Sequence, residues 1–258
     1  FIARPAIAPA TPEKELRSEI VIGISAPPTL IENSNPKAND STNAAIANGR
    51  SAGTKTGTMQ TASEPMSETA LLNSLRIEMK QQLAMGRTYL VVTLGNYGKH
   101  YLDEQEFMPI HDSVKCSNYI GEVIDMAVNL GAKGLLFVAH IGKFVKVAGG
   151  IMNTHSQCAD ARSEIMASAA LRAGIERDGA MQILNTVTTA EAIEIIEEAG
   201  LLKETMQVLT DKISFYLQHR CYGAIETEAM IFSNEKGYLG ETAGFRAMLH
   251  KVKEETTI

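Results

Sequence analysis

The sequence predicts an α/β protein, a mostly parallel sheet covered by helices, with a less regular N-terminal α+β segment. Three observations carry this. Tyr89-Leu90-Val91-Val92-Thr93-Leu94 and Gly134-Leu135-Leu136-Phe137-Val138 are short apolar runs of strand length. They alternate with stretches whose apolar residues recur at helical spacing, the pattern of a sheet under helical cover. The 258-residue chain is 45% hydrophobic, enough for a real core in one large or two small units.

Residues 1–66 form an irregular N-terminal segment, read as the remainder of an N-terminal domain, and 67–258 form an α/β domain. Seven of the eight prolines fall in the first part, from Pro5 to Pro65. Glu19 to Ser25 is its one firm strand pattern, and Asn33 to Met59 is polar with little periodicity, a long loop. From Ser67 the text becomes regular. Leu72, Leu75, Met79 and Leu83 mark a helix that Gly86 stops. Tyr89 to Leu94 is a strand ended by the turn Gly95-Asn96-Tyr97-Gly98, and Ser113 to Ser117 is a short strand. Asn118 to Leu130 reads as a helix closed by Gly131, Gly134 to Ala139 as a strand, and Ala159 to Ala173 as a helix closed by Gly174. Thr188-Thr189-Ala190-Glu191 has capping-box spacing and opens a helix to Ala199. Leu202, Met206, Leu209, Ile213 and Tyr216 mark another. Ala224 to Phe232 is a late strand, with a partner starting near Tyr238 after the turn at Asn234 to Gly237.

A formal net charge of −6 disfavours nonspecific nucleic-acid binding, so any cationic ligand site must be local. Cys116, Cys158 and Cys221 are far apart and show no metal-ligand spacing, which points to a reducing, cytoplasmic setting. No apolar run reaches the roughly 20 residues of a membrane span, and the start shows no secretory pattern.

The chemistry concentrates between Ala139 and Glu164. Two lysines, two histidines, several glycines and an Asn-Thr pair crowd into the exit of a strand, where α/β proteins bind ligands. His140, Lys143, Lys146 and His155 suit a polyanionic small molecule, with the two lysines on one face of a starting helix. Gly149-Gly150 argues against a plain surface helix, since each glycine costs about 1 kcal/mol there. Asn153 and Thr154 complete the candidate substrate set with Lys143, Lys146 and Arg162. Asp160 and Glu164, four apart, would share a helix face, orienting a lysine or serving as a general base. The acid-base candidates are therefore His140, His155, Asp160 and Glu164. His140 and His155 lack H-E-x-x-H spacing and partners for zinc, so no protein-bound metal is expected. The G-x-x-G turn Gly95-Asn96-Tyr97-Gly98 is a candidate nucleotide-cofactor loop, with Ser117 to Glu122 as a second wall or simply a helix cap. The cofactor-binding candidates are Gly95, Asn96, Gly98, Asn118 and Gly121. A nicotinamide oxidoreductase is disfavoured by the absence of G-x-G-x-x-G.

The central segment also resembles a family. His140-Ile141-Gly142-Lys143, Val145-Lys146, Ala148 to Ser156 and Ala159 to Glu164 are similar to the signature of CbiD, the cobalt-precorrin-5B methyltransferase of anaerobic cobalamin (vitamin B12) biosynthesis. Glu64-Pro65-Met66-Ser67-Glu68, Gly95-Asn96-Tyr97-Gly98 and Ser117-Asn118-Tyr119-Ile120-Gly121 resemble further elements of it, over roughly residues 64 to 235. The resemblance implies transfer of a methyl group from S-adenosyl-L-methionine, a co-substrate, to ring carbon 1 of cobalt-precorrin-5B, giving cobalt-precorrin-6A. The partner is then an anionic cobalt-containing tetrapyrrole that brings its own metal. It implies no nucleic acid and no membrane partner, and it leaves a homo-oligomer open. Family members carry a T-T-G-T element ahead of the matched region, and the chain starts after it. That keeps a second reading open, a protein that holds a corrinoid intermediate without catalysis.

Overall fold

A computed structural model describes residues 67–104 and 112–256. The chain divides into two units, Phe1–Gln60 and Thr61–Ile258. The irregular segment 1–66, its strand at Glu19 to Ser25 and the loop at Asn33 to Met59 lie outside the described residues.

Five strands form one sheet in the order β2-β1-β3-β4-β5. They are β1 (Tyr89–Thr93), β2 (Val114–Lys115), β3 (Gly134–His140), β4 (Glu226–Ser233) and β5 (Gly237–Glu241). The first four are parallel, with Tyr89 opposite Gly134 and Gly134 opposite Glu226. β5 returns antiparallel to β4 through the turn expected at Asn234 to Gly237. The central strand β3 is buried from Gly134 to Ala139. That is why its sequence is apolar throughout rather than alternating.

Helices cover both faces. On one face, α1 (Glu68–Ala84), α3 (Ile120–Leu130) and α8 (Leu202–Arg220) pack with Leu90, Val92, Leu135, Phe137 and Ala229. On the other, α2 (Asn96–Glu104) and α9 (Phe245–Thr256) pack with Val91, Leu136, Val138, Met230 and Phe232. The alternation of odd and even positions between the two cores follows from the strand period of two. Between β3 and β4 the chain also forms α4 (Ile141–Phe144), a short 3-10 turn (Val145–Gly149), α5 (Arg162–Ala173), α6 (Arg177–Leu184) and α7 (Thr189–Glu198).

The predicted starts hold where a cap is chemically explicit. Ser67 accepts from the Ala70 N–H at 3.2 Å and opens α1. Thr188 and Glu191 make the full capping box of α7. Elsewhere the boundaries move. β2 keeps only two residues of the predicted five, and α3 begins at Ile120, because Ser117 takes a left-handed backbone with φ 55°. α5 begins at Arg162 rather than at Ala159, so Asp160 precedes the helix instead of sharing a face with Glu164. The strand exit after β3, read as an open loop, winds at once into α4 and the 3-10 turn. No periodic signal had marked α2, α6 or α9.

The strand order places a reversal between β1 and β3. From β1 the chain moves outward to β2, and α3 then carries it back past β1 to β3. Crevices outside the carboxyl ends of strands at such a reversal are the usual ligand positions of open α/β sheets. Gly95 and Asn118 follow the carboxyl ends of β1 and β2, and His140 ends β3.

Candidate functional site

Asn118 is the joint of this edge. Its side-chain oxygen accepts from Lys143 Nζ at 3.0 Å and from Thr154 Oγ1 at 3.2 Å, and its backbone carbonyl accepts from the Thr154 N–H at 3.0 Å. Tyr119 and Asn153 form an isolated antiparallel bridge, and the Gly121 N–H donates to the Met152 carbonyl at 3.1 Å. The segment beyond the 3-10 turn is thereby laced to the start of α3. Lys143 is exposed, with its ammonium anchored on Asn118. Lys115, at the end of β2, adds a second cation, donating to Asn96 Oδ1 at 3.4 Å.

The two signature lysines do different work. Lys146 is 3% exposed. Its ammonium donates to the Thr154 carbonyl at 3.2 Å and the Ala159 carbonyl at 2.7 Å, and lies 3.9 Å from Asp160. Its predicted place beside Lys143 on a ligand-facing surface is corrected: the tight 3-10 turn rotates it inward, where it clamps the loop 154–159. Thr154 is also buried, with its hydroxyl spent on Asn118.

The acid-base candidates separate. His140 caps α4, its Nδ1 accepting from the Gly142 N–H at 3.0 Å, and its ring meets Phe232 edge-on. Burial pushes its imidazole below the ordinary histidine range, so it is neutral at pH 7. His155 is exposed, with Nδ1 accepting from the Gln157 N–H at 3.2 Å, while Asn153 Oδ1 accepts from the His155 N–H at 3.1 Å. Asp160 is gripped by both arms of Arg162, at 2.8 and 2.7 Å. That guanidinium holds the Asp160 carboxyl below the usual range, which makes it a poor base, and it neutralises Arg162 as a free substrate cation. Glu164 is exposed and accepts from Ser163 at 3.1 Å.

The candidate cofactor loop is tighter than the sequence suggested. Gly95 takes a left-handed φ of 74° with open space around it. Gly98 lies inside α2 against the sheet, where a Cβ would come 2.8 Å from the Val138 carbonyl. Its missing side chain serves helix-sheet packing, not ligand approach. Gly121 is similar: a Cβ there would meet Met152 at 3.0 Å and the Arg220 guanidinium at 3.3 Å. Asp125 holds that guanidinium in a two-pronged pair.

Burial decides several further features of the site. One Glu122 carboxylate oxygen, in the first turn of α3, is buried without a hydrogen-bond partner among the described residues. Burial pushes the neighbouring Cys116 thiol up to about 12, which removes it as a nucleophile. A cavity of about 310 Å³ opens between the starts of α5 and α7, lined in part by Arg162, Glu164, Thr186, Thr188 and Thr189. Thr189 Oγ1 lies 3.6 Å from where a Cβ on Gly142 would sit, so the cavity adjoins the β3 exit. The T-T-A-E motif had signalled only a helix start.

Comparison with known proteins bears on this edge directly. A family model described as CbiD, C-terminal domain, matches residues 153–243. The resemblance to the CbiD family is thereby shown. Proteins named cobalt-precorrin-5B C(1)-methyltransferase are similar over a longer stretch. That of Ruminiclostridium cellulolyticum is 39% identical over 171 residues, 66% of this chain and 44% of its own length. That of Alkaliphilus metalliredigens is 37% identical over 194 residues, 74% of this chain and 51% of its own. That of Methanocaldococcus jannaschii is 33% identical over 176 residues, 68% of this chain and 48% of its own. The chain thus spans about half the length of the curated relatives it matches. No solved structure matches it. Among the described residues no helix is long and apolar enough to cross a membrane.

Proposed function

We propose that this CbiD-like chain acts as an S-adenosylmethionine-dependent C-methyltransferase on ring carbon 1 of cobalt-precorrin-5B, giving cobalt-precorrin-6A. The relatives' shared name supports the reaction. The observation within the chain that supports it best is the Lys143–Asn118–Thr154 joint at the carboxyl edge of the sheet reversal. A precorrin carries acetate and propionate carboxylates around its rim. Lys143 and Lys115 offer cations to them, and the anchoring amides of Asn118 and Asn96 limit the side-chain entropy lost on binding.

When bound, S-adenosylmethionine supplies a sulfonium methyl that is already activated. The demand on the chain is then mainly positional: an electron-rich ring carbon must be held in line with the methyl, and good orientation is worth up to about 7–11 kcal/mol. The laced loop 152–154 and the clamp from Lys146 provide that rigidity. His140 is neutral and shapes the turn at Gly142; His155 remains open for proton transfer.

The direct test is incubation of the chain with cobalt-precorrin-5B and the methyl donor, with the product followed by mass spectrometry. A single added methyl is expected. Tetrapyrrole binding without methyl transfer would instead mark a protein that holds a corrinoid intermediate.

A further inference from the structure

The methyl donor and the methyl acceptor make opposite chemical demands. The acceptor is a broad polyanion. The donor is a nucleoside with two ribose hydroxyls, a purine face and a positive sulfonium. Two neighbouring regions of this chain differ in the same sense.

The cavity between α5 and α7 is too small and wrongly charged for the polyanion. Its volume of about 310 Å³ lies at the lower end of small-ligand pockets. Its one cation, Arg162, is already spent on Asp160 in a two-pronged pair. What remains open is the Glu164 carboxylate, exposed and bonded among the described residues by Ser163 at 3.1 Å. Beside it in the lining stands Thr189, 6% exposed, which brings a hydroxyl to the same wall. Met166, Val187 and Ala192 give the lining an apolar part, and Val187 stands 78% exposed at its edge. A carboxylate with adjacent hydroxyls suits a vicinal diol, the arrangement by which acidic residues hold ribose. The apolar part suits a purine. The residual negative charge favours a cation over a carboxylate.

The loop edge has the reverse character. Lys115 and Lys143 are exposed cations, each oriented by an asparagine. Gly98 and Gly121, whose backbones a nucleotide would have to approach, are blocked by packing within the fold.

We propose that the cavity between α5 and α7 holds the nucleoside of the methyl donor, with Glu164 and Thr189 taking its ribose hydroxyls. The tetrapyrrole then lies on the Lys115–Asn118–Lys143 edge. This assignment rests on the methyltransferase reading above. The two regions adjoin at the Gly142 turn, where Thr189 Oγ1 lies 3.6 Å from a Cβ position on Gly142, the residue before Lys143. Thr189 becomes a donor-binding residue that the signature does not contain.

The test is calorimetric titration of the whole chain and of Glu164→Gln, Thr189→Val and Lys143→Ala. Two probes are used, S-adenosylhomocysteine and uroporphyrin I, a stable polycarboxylate tetrapyrrole. Glu164→Gln and Thr189→Val should each weaken S-adenosylhomocysteine about tenfold or more, the loss of one good hydrogen bond. Both should leave uroporphyrin affinity unchanged. Lys143→Ala should show the opposite pattern. Glu164→Gln and Thr189→Val are near-isosteric, the first at an exposed side chain and the second at a buried one, and unchanged thermal melting verifies the fold. Wild-type binding of S-adenosylhomocysteine with both cavity variants within about twofold of it would place the donor elsewhere while leaving the methyltransferase reading intact. A wild-type chain that takes uroporphyrin but no S-adenosylhomocysteine would overturn both.

Discussion

Lys146→Met separates holding the loop from holding the ligand. Methionine keeps most of the apolar stem, so the change removes chiefly the ammonium and its two hydrogen bonds to the carbonyls of Thr154 and Ala159. Hydrogen bonds from a charged donor contribute about 1.5–3 kcal/mol each, and a carbonyl left buried adds a penalty of its own. Against that stands the cost of keeping an ammonium at 3% exposure, which the variant no longer bears. The net expectation is a loss of about 3 kcal/mol. For a unit of this size each kcal/mol lowers Tm by about 2–4 °C, so melting should fall by roughly 6–12 °C. Amide exchange between residues 153 and 161 should quicken before the rest of the chain opens, because the lost bonds are local. Lys143→Ala is the control: an exposed lysine on an asparagine should shift Tm by no more than about 2 °C while weakening tetrapyrrole binding. Equal melting of Lys146→Met and the wild type would refute the clamp and return Lys146 to the ligand.

Gly98→Ala should destabilise by about 1–3 kcal/mol, since its methyl would sit 2.8 Å from a backbone carbonyl that cannot swing away; urea denaturation measures it. Thr188→Ala removes one half of a capping box and should cost about 1 kcal/mol by the same assay, with the mouth of the adjoining cavity loosened. His140, depressed by burial, predicts a pH effect of definite sign. Above its ordinary pKa of about 6.5 folded and unfolded forms are both neutral. As pH falls below that value the unfolded chain takes the proton first, so stability declines until the folded imidazole also protonates. His140→Asn, which retains an acceptor for the Gly142 N–H, should flatten that part of the stability profile; an unchanged slope between the two proteins would assign it to another group.

The sequence by itself determined the sheet and its burial, and it singled out the neighbourhood of the candidate site. Apolar runs fix strands because a strand buried on both faces has no polar position to spare, as in Leu135 to Ala139. Local capping chemistry fixed the starts of α1 and α7, since a cap is written within four residues. The motif around His140 to Glu164 marked a candidate ligand edge, because the strand that precedes it ends there. Which lysine faces solvent was beyond it. Lys143 and Lys146 are equivalent in composition and three apart, and only the 3-10 turn, set by packing of Phe144, Val145 and Val147 into the core, rotates one inward. The glycines were ambiguous for the same reason. A glycine that admits a ligand and one that admits a neighbouring strand read alike in sequence, and only the position of the Val138 carbonyl or of Met152 distinguishes them. The cavity at Thr189 joins residues that the chain places well apart, from Asp160 to Ala192. Tertiary structure alone decided that they share one space, because helix-helix packing, not local sequence, brings the starts of α5 and α7 together.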